Sequence, residues 1–269
     1  MNAISIGYHD VADSGEPTGS GRPTAAVYRL DRASFQRHLA SIYSKVARGS
    51  VESIDSYRKW ETRVPIFLTF DDGEISAYQF VAAALEKWGW RGHFFITTDW
   101  IGCPGFLNPS QIRELRDRGH VIGSHTCSHP ARMSSLQWPE LIREWTESCA
   151  ILCDILGEAV SVASVADGYY SRKVGRSAAA SGIQVLFTSE PTKRTSKVDG
   201  CLVLGRYGVL RGMPTETSGA LVSSNPWHCW KQAVWWNLKK PVKLIGGDSY
   251  LRIRRYVLAG GGKAGTTKG

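Results

Sequence analysis

The sequence predicts an α/β protein built on a largely parallel sheet, either open or closed into a barrel. Three observations carry that expectation. Short apolar runs alternate with helix-period segments along most of the 269 residues, the pattern of repeated βαβ units. The length suits one large α/β domain. Polar, chemically capable residues fall just past the ends of several apolar runs, where parallel α/β sheets gather their active sites.

Taken in order, the first strand is expected over 3–8 (AISIGY) and runs into Tyr8-His9-Asp10. A turn-rich stretch over 13–24 follows, then a helix over 31–48. The second strand, 65–70 (PIFLTF), ends in Asp71-Asp72-Gly73 and leads to a helix over 75–88. The third, 92–97 (GHFFIT), precedes a helix over 109–118. The fourth, 120–125 (HVIGSH), opens into His125-Thr126-Cys127-Ser128-His129 and then a helix over 137–156. On that helix Leu141, Trp145, Cys149 and Leu152 or Cys153 recur every three or four residues, an inward stripe that makes Cys149 and Cys153 packing residues. Strands over 160–165, 183–189 and 201–207, and helices over 171–181 and 226–238, complete the pattern. A single domain over 1–258 is expected, followed by a disordered Gly/Lys/Thr tail over 259–269.

Composition narrows the classes. No stretch reaches the roughly 18 consecutive apolar residues of a membrane span. The N-terminus lacks the basic and apolar regions of a secretory signal, so a cytoplasmic location is expected. Six scattered cysteines (Cys103, Cys127, Cys149, Cys153, Cys201, Cys229) are expected as reduced thiols, because a core this size needs no disulfide staples. The net charge is +9, and seven Lys/Arg face one acidic residue between Pro226 and Tyr256, with Trp227, Trp230, Trp235 and Trp236 interleaved. No helix-turn-helix, RNP or zinc-finger pattern accompanies that charge, which argues against a nucleic-acid partner. The favoured expectation is a solvated face with its tryptophans turned into the core; peripheral contact with an anionic membrane through 226–256 is the alternative.

Two adjacent carboxylates resist ionising together unless something positive holds them. One aspartate with two imidazoles is a facial ligand set for zinc or a similar divalent metal, with positions left open for water and substrate. Successive strand residues point to opposite sides, but a turn at Gly73 can bring both carboxylates to the mouth of a sheet or barrel. One then meets a metal while the other is free to accept a proton.

TFDDG, then GHFFIT, then IRELRDRGHVIGSHTCSHP resembles the polysaccharide deacetylase family, the NodB-homology carbohydrate esterases, from about Ile4 to Pro191. The resemblance implies a distorted (β/α) barrel with about seven parallel strands. It implies Asp72, His125 and His129 as ligands of a divalent metal, zinc in the first place, with cobalt, nickel or manganese as substitutes. Asp71 would be the general base toward a metal-activated water that attacks an N-acetyl carbonyl. A backbone amide near Gly168 and Tyr169 would meet the oxyanion. The products would be acetate and a free amino sugar.

Two departures stand out. The family's third motif carries Arg-x-Pro, and here Ser164 and Ala166 occupy those places; Arg172 or Arg206 is expected to supply the missing charge. Gly168, Tyr169 and Arg206 are the expected substrate-facing residues. The family's late Leu-x-His, its general acid, is absent, and His9 is the leading substitute, with His228 behind it. Cys127 reads as a spacer between ligands. The expected partner is an N-acetylated glycan, a sugar precursor or lipid-linked glycan in the cytoplasm or at the inner face of the membrane. An amidase of small cyclic amides and a catalytically silent glycan-binding protein are the rival readings.

Overall fold

The computed structural model describes residues 1–16, 19, 25–47, 50–54 and 64–238. The expected tail over 259–269, and 239–256 of the basic segment, lie outside them. Among the described residues, nine strands form one sheet: β1 (Ile4–Tyr8), β2 (Ile66–Phe70), β3 (Gly92–Ile96), β4 (Val121–Ser124), β5 (Val162–Ser164), β6 (Val185–Phe187), β7 (Ser196–Val198), β8 (Cys201–Leu204) and β9 (Tyr207–Gly208). Their spatial order is β7-β8-β6-β5-β4-β3-β2-β1-β9. Every neighbouring pair is parallel except the β7–β8 hairpin.

β8 and β9 lie far apart in that order, yet only Gly205 and Arg206 separate them along the chain. They are two halves of one broken stave. The first half pairs with β6 and the second with β1, so the sheet curls round to meet itself. With β1 to β6 this makes seven parallel staves, in agreement with the distorted barrel expected from the family resemblance. The break needs glycine: a Cβ on Gly205 would overlap the Glu190 and Thr192 backbone carbonyls.

The period of two sorts the barrel's faces. Ile66, Leu68 and Phe70 of β2 pack outward in one apolar layer with Leu39 and Ile42 of α1 (Arg32–Tyr43) and Leu85 of α2 (Ala82–Glu86). Phe67, between them, points inward to meet Phe95 and Phe187, with Val121, Val162, Val185, Leu202 and Leu204 in the same cluster. Each of these large buried side chains contributes about 1.5–3 kcal/mol by leaving water. Continued two residues at a time, the inward register changes from apolar to polar. Phe67 leads through Thr69 to Asp71, Phe95 to Thr97, Gly123 to His125, Val162 to Ser164, and Leu204 to Arg206. The barrel therefore has an apolar floor and a polar mouth.

The outer helices follow their local signals. α3 (Pro109–Asp117) starts with an Asn108/Gln111 capping box and Pro109, and α4 (Trp138–Leu156) with a Gln137/Glu140 box; α4 stops at the left-handed Gly157. α5 (Arg172–Ala180) is capped by Ser171 on the Val174 amide. Two elements were not anticipated: the polar strand β7 and the short helix α6 (Glu216–Val222), which packs on α1 through Gly219 against Ser41. All six cysteines are free. Among the described residues, no helix is long and apolar enough to cross a membrane.

The last helix, α7 (226–238), corrects one expectation. Trp227, Trp230 and Trp235 are not turned into the core; they are 62%, 56% and 59% exposed.

Candidate active site

Asp71 ends the inward register of β2, and its amide bonds the Tyr8 carbonyl, prolonging the β1–β2 ladder by one residue. Strict alternation would send Asp72 outward. Instead its backbone is left-handed, with φ of 76°, and Gly73 follows at 82°. That reversal brings the second carboxylate back to the mouth. Thr126 (69°) and His129 (55°) take the same disfavoured conformation. Non-glycine residues held there cost of order 1–3 kcal/mol each, and such strain gathers at functional sites.

The left-handed turns bring Asp72, His125 and His129 together. One ligand atom from each lies within 4.8 Å of the others, and all three residues are buried. Asp72 Oδ1 is 3.5 Å from His125 Nε2 and 3.3 Å from His129 Nε2. The loop carrying the histidines is held from below by Glu144 of α4. This buried carboxylate accepts from the Cys127 amide at 2.9 Å, the Ser128 amide at 2.9 Å and the Ser128 hydroxyl at 2.6 Å. Trp100 stacks on the His129 ring with centroids 5.0 Å apart. Cys127 sits outside the cluster, its thiol 3.2 Å from Asp99 Oδ1, and burial pushes its pKa up to about 11.

Asp71 has a different environment. Arg206, 3% exposed, grips it through two parallel bonds of 2.6 and 2.8 Å. The remaining guanidinium contacts go to the Thr188 carbonyl (3.1 Å) and the Thr69 hydroxyl (3.3 Å). Burial works most strongly against ionising Asp71. The Arg206 charge leads the opposing effects, which together outweigh burial and hold the carboxyl at about 2. Asp72 is held well below the usual carboxylate range, its burial outweighed by His125 and His129.

Ser164 joins the two halves. Its hydroxyl donates to Asp71 Oδ1 at 3.0 Å and lies 2.5 Å from His125 Nδ1. A hydroxyl has one proton; once it goes to Asp71, the oxygen is left to accept Nδ1–H from His125. With Nδ1 engaged by Ser164, Nε2 is the ring atom that His125 turns toward Asp72 Oδ1. A carboxylate oxygen with two imidazole nitrogens 3.5 and 3.3 Å away is an arrangement that suits a divalent cation. The donor set, one carboxylate and two imidazoles, fits zinc or a neighbouring transition metal.

These groups open into a cavity of about 740 Å³. His9 lines it, tilted against the Tyr28 ring at 4.4 Å, and its Nδ1 has no hydrogen-bond partner among the described residues. Burial lowers its pKa, so the ring rests neutral. Gly168 also lines the cavity, lying so close to Trp236 that a Cβ would approach that ring to 2.9 Å. His228 also lines the cavity, its Nδ1 3.2 Å from the side-chain oxygen of Asn225.

Two of the expected substrate-facing residues have partners of their own in the fold. Arg206 borders the cavity and makes four bonds, to Asp71, Thr69 and Thr188, an arrangement that orients the carboxylate. Tyr169 is buried, with Arg132 5.7 Å over its ring, and is not among the cavity-lining residues. Arg172 starts α5 and, unlike Arg206, has no contact with Asp71 among those described. Sequence reading missed Glu144 and Trp100. Glu144 carries a usable signal, since it falls on the inward stripe of α4 between Leu141 and Ser148.

The family model for polysaccharide deacetylase matches residues 60–186. YxkH of Bacillus subtilis (strain 168), assigned to the polysaccharide deacetylases, is 28% identical over 200 residues, 73% of this chain and 71% of its own. A chitin deacetylase of Colletotrichum lindemuthianum is 35% identical over 66 residues, 24% of this chain and 27% of its own length. Among solved structures, the Streptococcus pyogenes deacetylase PplD superposes with a TM-score of 0.64 at 20% identity, covering 80% of this chain and 96% of PplD. That likeness concerns the fold.

Proposed function

We propose that this chain, whose residues 60–186 match the polysaccharide deacetylase family model and whose relatives include a chitin deacetylase, is a hydrolase of carbon–nitrogen bonds other than peptide bonds that removes N-acetyl groups from an amino-sugar-containing glycan with the help of a divalent metal. The observation that carries this reading is the buried cluster of Asp72, His125 and His129 beside a second, separately held carboxylate. A cation bound there, zinc in the first place, would supply Lewis acidity, raising the acidity of a water and polarising the amide carbonyl.

The chain's own residues divide the remaining work. Asp71, ionised and oriented by Arg206, accepts the proton of the attacking water. Backbone amides near Gly168 and Tyr169 face the developing oxyanion. His9, neutral at rest with an uncommitted Nδ1, relays the proton to the departing nitrogen, since expelling an unprotonated amine is slow. The missing third-motif arginine, the ground for a silent homologue, is offset by Arg206 reaching the same carboxylate from the break between β8 and β9. The proposed substrate is a cytoplasmic sugar precursor or a lipid-linked glycan at the inner face of the membrane.

The test is acetate release from N-acetylated amino-sugar oligomers by purified protein with zinc, cobalt, nickel or manganese, alongside metal analysis of the wild type and Asp72→Ala. Acetate release with metal bound to wild type and absent from the variant is expected. Equal occupancy in both would remove Asp72 from the ligand set. Sugar binding with no acetate under any of the metals would restore the silent reading.

A further inference from the structure

Helix α7 carries its apolar side chains on the wrong face for a soluble protein. Trp227, Trp230, Lys231, Val234, Trp235 and Leu238 recur at intervals of three and four, a single stripe along the helix. The stripe is largely open to water: Trp227 is 62%, Trp230 56%, Trp235 59% and Leu238 64% exposed. Trp227 and Trp230 stack on each other, with centroids 5.3 Å apart. The other side of the helix anchors it to the barrel. Gln232 donates to the Gly208 carbonyl, Trp236 packs at Gly168, and Cys229 packs against the main apolar layer. Trp227, Lys231 and Trp235 also border the cavity, so the exposed stripe forms one lip of its mouth.

We propose that this face of α7 seats the enzyme on an anionic lipid surface, with the cavity opening toward the membrane interface. The inference rests on the deacetylase reading for its purpose but not for its evidence. An indole is suited to the boundary between headgroups and acyl chains, where an apolar body and a polar N–H are both satisfied. The 18 residues after the described helix, 239–256, add six Lys/Arg against Asp248 alone. Basic residues flanking an interfacial helix draw it to anionic lipid.

Charge also separates this occupant from its rivals. A deacetylated glycan is cationic, as is the sequence that carries the stripe, so a polymer-tracking platform is disfavoured. A second copy would bring together two chains of net charge +9. Leu238 adds nothing to a sugar-stacking surface but belongs in an interfacial one.

The experiment is sedimentation of the full chain with vesicles of phosphatidylcholine alone and of phosphatidylcholine mixed with phosphatidylglycerol, at low and high salt. It is run with wild type and with the double variant Trp230→Ala/Leu238→Ala, neither of which borders the cavity. Expected are binding to the mixed vesicles, loss of binding at high salt, a blue-shifted tryptophan emission on binding, and an affinity about tenfold lower in the variant. Acetate release from a soluble oligomer is expected to be unchanged in the variant. Equal binding to neutral and mixed vesicles, no binding to either, or full binding by the variant overturns the proposal. So does a dimer, or retention on insoluble chitin, that the same two substitutions abolish. Vesicle binding is read without catalysis, so a protein that binds vesicles and releases no acetate overturns the deacetylase reading and leaves this one standing.

Discussion

Asp71 and Asp72 are adjacent in sequence, equally buried and both aimed at one cavity, yet they belong to two different machines. Asp71 keeps the ordinary strand register and meets a buried guanidinium that came from the barrel's closing stave. Asp72 leaves the register through a left-handed turn and meets two imidazoles on a similarly strained loop. One carboxylate is already neutralised by a permanent cation of the protein. The other faces two imidazoles with which it could share an added one. Adjacent carboxylates with separate partners can both stay charged, which a water-activating site requires of them.

That contrast can be broken from either side. The largest effect is expected from Asp72→Ala, which should abolish both metal binding and acetate release; metal analysis and an acetate assay read the two losses together. Asp71→Asn should separate them. Metal stays bound, while kcat falls by about 10²–10⁴, the usual contribution of a positioned base. Next comes Arg206→Met, which leaves a buried carboxylate without its partner and should destabilise the fold by about 3–5 kcal/mol in denaturant unfolding. Arg206→Lys should recover only part, because one ammonium cannot reproduce two parallel bonds.

Ser164→Ala touches both halves more gently. It removes a hydrogen bond from Asp71, worth about 1 kcal/mol, and the orienting contact from His125, for which metal affinity should weaken by about 10–100-fold. A change in stability with no change in metal affinity would show that the hydroxyl serves Asp71 alone. The smallest effect concerns pH. Asp71 sits at about 2 in the fold against an ordinary 3.8. Its contribution is therefore complete above the ordinary value and fades as pH falls through about 2. Acid unfolding of Arg206→Met should lack that component, and identical acid-unfolding profiles would count against the pairing.

The distance between the two aspartates in legibility is equally instructive. That Asp72, His125 and His129 lie together follows the expectation drawn from the family resemblance, whose motifs sit at strand ends. Asp71's partner was only half readable. Arg206 obeys the inward alternation Leu202, Leu204, Arg206, but which carboxylate it meets depends on where the barrel closes. Glu144 and Trp100 were missed for the same reason: each supports the histidine loop from a different element. Arg206 was expected both to supply the missing charge and to face substrate; it grips Asp71 while bordering the cavity, and Tyr169 packs under Arg132.

From its residues alone, this chain declares the alternation of strands and helices, the ends at which chemistry gathers, and the one carboxylate and two imidazoles poised to share a cation. Those properties are encoded locally, in periodicity, turn chemistry and motif spacing. Tertiary structure alone decided that β8 and β9 form one broken stave, that Arg206 rather than Arg172 pairs with Asp71, and that the tryptophans of α7 face outward at the cavity's lip. Each of these depends on closing the sheet, which brings side chains from opposite ends of the chain to within bonding distance, and no local pattern carries that information.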